Sequence, residues 1–572
     1  MSANAVTAKL KRVGFSLTKN KPFLSVFIVS VVVLVVYLKT MPPGLTWEHY
    51  GYDAGDLISC VYTWGIPHPP GTPLYVLLGQ FFRYLPFFGT PAAKFNFMSI
   101  FFGWLSAVLV YLSSRRLFAK RFPAFLSTFF FAFTPLIWGQ SIVAEVLTLN
   151  LFLIAASTYF LVRWEQEERL HGEGVGGFLH WGLFFFALAL TNHTSSLMIA
   201  PAIFFLILSV QPSNLTRPSK LLRLALFFGL GLLPYLYLPI RAAMRPMLNW
   251  GNPSTLSNFI NHITAREYSG FLFVAPSLFL DNVLRFLEAV WTNFNPVGTF
   301  LIVLGFVFGR KDRIRDFFIF AILFQLLFVF NYNIVNIETY LLPVFFYLAL
   351  FLGEGCTVAQ GVFETAADWV EKQNLRPLAC LDRIGSSRTY EVSFSAFTLF
   401  LLNLLLLVFS LLNIPLRWGE VDLSNERTAY DFGRNTFEVV EPGSIILAEG
   451  DRYFLGLTYF SYVLYPEKDV AVLHEAFFHK LGWMLEQARR NYPHLQYPLV
   501  ESTIDQEEAE QALLDFVDMN MNDRPIYLAV GEKPLDDRRV SRSVWGDRFI
   551  IQSVGPIYQI VGRVENEETG EL

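Results

Sequence analysis

Long uncharged stretches recur through most of this chain, and they limit what it can fold into. The first, residues 22–38, has no charged side chain and lies between lysines. A helix rises about 1.5 Å per residue, so about 20 apolar residues cross the hydrocarbon core of a bilayer. Eleven such runs occur, at residues 22–38, 95–114, 122–138, 147–162, 178–191, 195–209, 222–240, 297–309, 316–332, 339–353 and 394–413. The sequence therefore predicts a polytopic α-helical membrane protein with about 11 transmembrane helices.

The composition agrees with a membrane protein. Of the 572 residues, 53% are hydrophobic and 16% are charged, whereas a soluble domain carries about 25% charged residues. The formal net charge of −4 is small for this length, and nothing in the sequence points to a nucleic-acid partner. Cys60, Cys356 and Cys380 have neither metal-binding nor redox spacing, and we expect them to be buried thiols.

Positive charge indicates how the chain is oriented in the bilayer. The first 21 residues contain lysine and arginine but no acid, and further basic clusters lie at residues 115–121, 217–223 and 310–315. Cytoplasmic loops are enriched in such residues, so we expect a cytoplasmic N-terminus. No small-residue cleavage site follows Leu38, and the first run is expected to be an uncleaved helix. An odd number of spans then places the C-terminus outside the cytoplasm.

The composition becomes that of a soluble domain near residue 415. We therefore divide the chain into a transmembrane domain, residues 1–414, and an extracytoplasmic soluble domain, residues 415–572. Apolar runs of strand length alternate with helix-like stretches in the second part, which predicts a small α/β domain. The strands are expected at residues 444–448, 470–473, 525–530 and 549–561, and the helices at residues 477–491 and 505–519.

The first outer loop, about residues 39–94, contains the most informative polar motif. The sequence YDAGDLISCVYTWGIPHPPG places Asp53 and Asp56 three residues apart and His68 in a His-Pro-Pro-Gly turn. Proline fixes φ and disfavours helix in the residue before it, so the turn should be rigid. A carboxylate here could accept a proton or hold a metal ion. Alternatively, Asp53 could cap a helix, and the turn carrying His68 could be purely structural.

Other polar residues are predicted at the same membrane face. Glu145 ends a span, where a charge is costly and often functional, although simple interfacial exposure would also permit it. His193, in a break between two spans, could bind phosphate or cap a helix. Arg241 could bind a lipid phosphate through its guanidinium or simply snorkel to the interface. A further outer turn, expected to show ordinary loop polarity, contains Asn333, Asn336, Glu338 and Tyr340.

Several of these segments, in this order, resemble one membrane-protein family. They are DAGD followed by HPPGTPLY, then WGQSIVAEVLTLN, LTNHTSSLMIAPA and LPYLYLPIRA, with SIILAEGDRYFLGLTYFSYV in the C-terminal part. The family is grouped with the protein O-mannosyltransferases and includes animal transmembrane O-mannosyltransferases. The resemblance covers most of the chain. It implies a GT-C fold, in a polytopic glycosyltransferase that uses a polyprenyl-phosphate sugar and has its active site on the non-cytoplasmic face.

The resemblance also implies roles for the acids of the first loop. In such enzymes an acidic motif of this loop serves as catalytic base or metal ligand, and here that role falls on Asp53. Asp56 stands where the family pattern leads us to expect glutamate, which leaves open which acid is the base. Both are candidate ligands of a divalent cation such as Mg²⁺ or Mn²⁺. Asn336 stands where an acid is expected, which puts a catalytic role of its turn in doubt.

The implied reaction moves a sugar, mannose by resemblance, from the polyprenyl phosphate to a hydroxyl of a protein or glycan with inversion. Arg241 with His193 would bind the donor phosphate, and Glu145 would orient the acceptor or a metal. His68 would face a phosphate or an acid. Asp451, in the C-terminal domain, would help to select the acceptor.

Two other classes of protein remain open from the sequence. A transporter or flippase for a lipid-linked or anionic substrate also pairs acids with basic residues, but it should show matched broken helices in two halves, which the sequence lacks. A non-catalytic assembly or receptor protein is the other class. The lack of a disulfide pattern favours a prokaryotic inner membrane.

Overall fold

The computed structural model describes residues 22–86, 89–172, 177–372, 394–478, 482–500, 506–530, 545 and 548–564. The basic N-terminal residues, Cys380 and the C-terminal end, on which some sequence predictions rest, lie outside the described residues.

Helices form most of the first part of the chain, as the apolar runs predict. They are Pro22–Thr40, Ala54–Thr63, Pro73–Phe82, Pro91–Leu117, Arg121–Ala132, Pro135–Ile142, Leu147–His171, Phe178–Asn192, Ala200–Val210, Ser213–Thr216, Pro218–Leu232, Tyr237–Ala243, Leu256–Ile263, Pro276–Phe308, Arg313–Phe330, Leu342–Lys372 and Phe394–Val421. In the described residues six helices are long and apolar enough to cross a membrane, and shorter apolar helices coincide with further predicted runs. The polytopic helical class is confirmed, whereas the number of eleven spans stays a prediction.

One predicted run, residues 122–138, is not a single helix. It is divided into Arg121–Ala132 and Pro135–Ile142, which meet at 63°. The cause is local, because Pro135 has no backbone N–H to continue the first helix but is well suited to begin a new one. Thr134 caps that new helix by accepting a hydrogen bond from the Ile137 amide at 3.3 Å. The short second helix leads directly to Glu145.

The C-terminal part contains a five-stranded sheet with the order β2-β1-β3-β5-β4. Its strands are β1 Ile445–Ala448, β2 Ala471–His474, β3 Ile526–Ala529, β4 Phe549–Val554 and β5 Ile557–Arg563. β1 pairs in parallel with β2 and β3, and β5 runs antiparallel to β3 and β4. Residues 549–561, predicted as one strand, are instead a hairpin, since Gly555 adopts a positive φ of 60° at the turn.

Helices cover this sheet, which confirms the α/β class. They are Thr428–Val439, Gly450–Tyr459, Gly482–Asn491 and Gln506–Asn520. In β1, Ile446 and Ala448 belong to the core shared with the membrane helices, and Ile445 and Leu447 to a second core. β1 is therefore buried on both faces, which explains its uninterrupted apolar sequence.

The C-terminal part packs directly onto the first loop. A Cβ atom on Gly55 would lie 2.1 Å from the Leu455 carbonyl oxygen, so only glycine allows this close backbone approach. The Tyr459 hydroxyl accepts a hydrogen bond from the Ala92 amide at 3.3 Å. Helix Phe394–Val421 continues through residue 415, and the division of the chain at that residue stays a prediction.

Candidate functional site

A cavity of about 520 Å³ collects polar residues from separate parts of the chain. Its lining includes Asp53, His68, Glu145, His193 and Asp451. Asp53 and His68 belong to the first loop and Glu145 follows helix Pro135–Ile142, whereas Asp451 comes from the C-terminal part. The fold therefore brings most of the predicted site residues to one place.

Asp53 and Asp56 have different surroundings although they share one helix start. Asp53 precedes helix Ala54–Thr63 but makes no side-chain capping hydrogen bond. Its side chain keeps 40% of its surface open, whereas that of Asp56 keeps 5%. Because Asp53 faces the cavity and Asp56 points into the protein, only Asp53 is open to a ligand there.

Asp56 holds the imidazole of His68 in place. Its Oδ2 atom accepts hydrogen bonds from His68 Nδ1 at 2.7 Å and from the His68 amide at 3.0 Å. Its Oδ1 atom accepts one from Cys60 Sγ at 3.4 Å. His68 Nε2 then lies 3.6 Å from Asp53 Oδ2. The three side chains therefore lie in a row, from the buried Asp56 carboxylate through the His68 imidazole to the Asp53 carboxylate in the cavity.

The charges of Asp53, His68 and Asp56 influence one another. Burial alone would lower the pKa of His68, but Asp53 and Asp56 outweigh it and raise the pKa to about 10. His68 is therefore an imidazolium at neutral pH. Burial raises the pKa of Asp53, and the neighbouring imidazolium opposes this rise. His68 thus favours the ionised form of Asp53.

Glu145 contributes a second carboxyl group to the cavity. The residue is only 4% exposed, and its Oε1 atom has no hydrogen-bond partner. Its backbone is held by Ser99 Oγ at 3.3 Å. Burial, and then the charge of Asp53, raise the pKa of Glu145 well above its usual value. This carboxyl group is therefore suited to hydrogen bonding rather than to carrying a second negative charge.

His193 fulfils the capping alternative and also lines the cavity. Its Nδ1 atom accepts a hydrogen bond from the Ser195 amide at 3.3 Å and contacts Ser195 Oγ at 2.8 Å. Burial, with a smaller effect of His68, lowers the pKa of His193 to about 4. The ring is neutral at neutral pH, which does not favour the predicted binding of a phosphate.

Arg241 lies outside the cavity that His193 lines, and the expectation that the two residues bind one phosphate stays a prediction. It lines a separate surface recess of about 490 Å³ beside Trp64. Its Nε atom donates to the Trp64 carbonyl at 2.9 Å, and a terminal nitrogen contacts Met244 Sδ at 3.2 Å. No lysine or arginine is found among the described residues that line the cavity. His68 is therefore the cation available to a ligand there.

Asp53 and Asp56 do not fit a shared metal site. The oxygens of Asp56 are engaged by His68 and Cys60, so the two carboxylates do not converge on one ion. In the part of the chain that the structure describes, no group of three or more potential metal ligands is found.

The sequence did not indicate the aromatic side of the cavity. Trp250, Tyr268 and Tyr332 line it. Trp250 packs its ring 6.0 Å from that of His68 and 4.9 Å from that of Trp483 in the C-terminal part. The outer turn that was expected to show ordinary loop polarity also reaches the cavity, through Asn333, Asn336 and Tyr340.

A separate apolar groove of about 550 Å³ is lined, in the described residues, only by leucine and phenylalanine. It lies between helix Pro73–Phe82 of the first loop and the helices Pro91–Leu117, Leu147–His171 and Phe178–Asn192. Leu147 lines the cavity, and Leu149, two residues further along the same helix, lines the groove. Side chains two positions apart on a helix point to different sides, so this helix contributes residues both to the polar cavity and to the apolar groove.

Comparison with known proteins confirms the resemblance noted in the sequence. Residues 53–216 match the model of the protein O-mannosyl-transferase TMEM260 N-terminal domain. The chain is 25% identical over 553 residues to "Protein O-mannosyl-transferase tmem260" of Dictyostelium discoideum, covering 90% of this chain. It is 27% identical over 486 residues to "Protein O-mannosyl-transferase TMEM260" of Mus musculus, covering 82%. In both cases it spans 64% of the relative's length.

A solved structure has the same fold. The crystal structure of ArnT from Cupriavidus metallidurans bound to undecaprenyl phosphate aligns over 95% of this chain and 98% of its own. The TM-score is 0.54 and the sequence identity is 11%. The expected GT-C fold with a C-terminal α/β domain is confirmed, and the chain is an integral membrane protein. The named relatives above come from eukaryotes, so the expectation of a prokaryotic membrane has no support from them.

Proposed function

We propose that the chain is a membrane glycosyltransferase that moves a sugar, mannose, from a polyprenyl-phosphate donor to a hydroxyl of a protein or glycan. The observation that carries the proposal is the cavity in which Asp53 is open to a ligand and held beside the His68 imidazolium, 3.6 Å away. The names of the relatives support transfer of mannose. We place the cavity at the non-cytoplasmic face, with the N-terminus in the cytoplasm.

Asp53 is the proposed catalytic base. The acceptor hydroxyl attacks the anomeric carbon while Asp53 removes its proton, and the bond from that carbon to the phosphate oxygen breaks on the opposite side. The polyprenyl phosphate leaves, and the configuration is inverted. A carboxylate needs to be ionised for this step, which the neighbouring His68 imidazolium favours. Asp56 is a positioning residue, because it acts on Asp53 only through His68.

The donor lipid is proposed to lie in the leucine and phenylalanine groove. The groove is wholly apolar, as suits a lipid chain, and helix Leu147–His171 contributes residues both to it and to the cavity. A structural relative was crystallised with undecaprenyl phosphate. His68, rather than Arg241, would offset the charge of the donor phosphate, since Arg241 lies in another recess.

The acceptor is proposed to approach from the side of the C-terminal part. Asp451 follows β1 at the carboxyl end of the parallel strands, the edge at which open α/β sheets commonly bind ligands. Its side chain is 72% exposed and lies 3.7 Å from His474 Nε2. Glu145, with its unpaired Oε1 atom, would hydrogen-bond a hydroxyl of the sugar or acceptor.

A transfer assay tests the proposal. Purified full-length protein is incubated with radiolabelled polyprenyl-phosphate mannose and candidate acceptor proteins, and the labelled product is counted. We expect Asp53→Asn to lower the rate by about 10²–10⁴-fold, the usual contribution of a general base. Glu48→Gln, an acid of the same loop outside the cavity, is the matched control and should retain activity. Full transfer by Asp53→Asn would refute the base assignment, and donor binding without transfer by the wild type would favour a transporter.

A further inference from the structure

A second polar recess lies at the opposite end of helix Leu147–His171. Its volume is about 350 Å³, and its lining includes Glu165, Glu168, Arg169, Gln211 and Arg313. Leu147 of the same helix lines the Asp53 cavity. Eighteen residues separate Leu147 from Glu165, which is about 27 Å at 1.5 Å per residue. This distance is close to the thickness of the hydrocarbon core, about 30 Å, so the recess lies at the other membrane surface.

The inner wall of the recess carries a carboxylate whose hydrogen bonding is incomplete. The side chain of Glu165 is 4% exposed, and its Oε1 atom lies 3.9 Å from Arg169 Nε. Its Oε2 atom is buried and has no hydrogen-bond partner. Gln211 Nε2, 7% exposed as a residue, donates to Glu168 Oε2 at 3.5 Å. A buried carboxylate oxygen without a donor is costly, which indicates that a donor belongs at this wall.

The outer rim of the recess carries the opposite charge. Arg313 is exposed, and the Arg169 side chain is 58% exposed. Guanidinium groups are suited to phosphate oxygens. Two acids and two arginines balance in total charge, but Glu165 is buried and Glu168 half-buried, whereas both arginines are exposed. A purely anionic or purely cationic ligand matches only half of this arrangement, whereas a zwitterion matches both halves.

We propose that this recess binds the headgroup of a phospholipid that carries a primary ammonium and a phosphodiester, as phosphatidylethanolamine does. The ammonium would reach Glu165, and the phosphate would meet Arg169 and Arg313. A primary ammonium has N–H groups to satisfy the unpaired Oε2 atom, whereas the quaternary nitrogen of a choline headgroup has none. The position at the membrane surface makes a lipid the natural source of this headgroup. The inference does not depend on the proposed transfer reaction.

Lipid competition observed by native mass spectrometry tests the inference. The full-length chain in detergent is mixed with equal amounts of phosphatidylethanolamine and phosphatidylcholine of identical acyl chains, and the bound lipids are compared. We expect about a tenfold preference for the ethanolamine lipid, the size of one hydrogen bond to a charged group. Soluble glycerophosphoethanolamine should displace the lipid better than glycerophosphocholine does. Stronger displacement by the soluble compound than by the lipid itself would make a free metabolite the ligand.

Glu165→Gln should remove the preference. Glu167→Gln is the matched control, because Glu167 lies on the same helix but pairs with Arg163 and His171 and is absent from the lining of the recess. Melting temperatures of both variants show whether each still folds. Arg313→Gln changes an exposed side chain and tests the proposed phosphate contact independently. It should weaken the binding of both lipids. Equal binding of the two lipids by the wild type, a preference for phosphatidylglycerol, or an unchanged preference in Glu165→Gln would overturn the inference.

Discussion

Helix Leu147–His171 contributes residues to two recesses whose carboxylates have different electrostatic surroundings. At one end, Asp53, Glu145 and Asp451 share a cavity in which His68 is the cation among the described lining residues. At the other end, the acids Glu165 and Glu168 are matched by two arginines. An excess of acid beside one imidazolium suits proton removal, whereas a balanced arrangement suits binding without chemistry. Charge balance, rather than the presence of acids, therefore distinguishes the site proposed for chemistry from the site proposed for binding alone.

The strongest test of this difference removes the cation of the first recess. We expect His68→Gln to lower the transfer rate by about a hundredfold, since Asp53 loses the group that favours its ionised form. In the wild type His68 is charged below a pKa of about 10. The charge that would offset the donor phosphate is therefore lost as the pH rises through about 10, and activity should fall. In the variant this alkaline loss should vanish, and the acid limb should move to higher pH because the pKa of Asp53 is no longer opposed. Rate measurements from pH 4 to pH 11 check both limbs, and a profile identical to that of the wild type would contradict the coupling.

Asp56→Asn should have a smaller effect than His68→Gln. The imidazole keeps its place but loses the charge of Asp56, one of the carboxylates that raise the pKa of His68. We expect about a tenfold lower kcat with the KM for the donor little changed, and an alkaline limb at lower pH. A change in KM alone would mean that Asp56 supports binding instead of positioning His68.

Gly55→Ala should disturb the Asp53 cavity and leave the Glu165 recess unchanged. The added methyl group would meet the Leu455 carbonyl at 2.1 Å, and such overpacking costs about 1–3 kcal/mol of stability. We expect a lower melting temperature and weaker transfer, with lipid selection at the Glu165 recess unchanged. Gly456→Ala is the matched control, because its methyl group would find only ordinary contacts, the nearest at 3.7 Å. Equal melting temperatures for the two variants would show that the close approach at Gly55 does not matter.

Arg241→Gln should have the smallest effect. Its recess is separate from both sites, so we expect transfer rates and the KM for the donor to stay within about twofold of the wild type. A large increase in that KM would return Arg241 to the phosphate role that the sequence predicted.

Much of the fold could be predicted because bilayers impose simple rules. Each crossing needs a long apolar helix, so the apolar runs predict the membrane helices. The strands around Ile446 and Val472 are predicted by short apolar runs. The break at Pro135 was harder to predict, because the run is apolar on both sides of it. The hairpin at Gly555 was missed for the same reason.

The sequence indicated the acids of the site but not their different roles. Asp53 and Asp56 look equivalent in the sequence. In the structure the chain returns at His68, so that Asp56 is buried and Asp53 is open to the cavity. The placement of Trp250 and Asp451 depends on how the C-terminal part packs, which no local pattern records. Arg241 was assigned by its chemistry alone, and Glu165 was overlooked because charged residues at a helix end are common.

In the proposed donor complex the sugar occupies the Asp53 cavity and its lipid occupies the apolar groove. The most direct test is an electron cryo-microscopy structure of the Asp53→Asn variant with polyprenyl-phosphate mannose. We expect the anomeric carbon beside residue 53 and the isoprenoid chain against Leu149 and Phe152. A sugar phosphate bound at Arg241, with the Asp53 cavity empty, would contradict it.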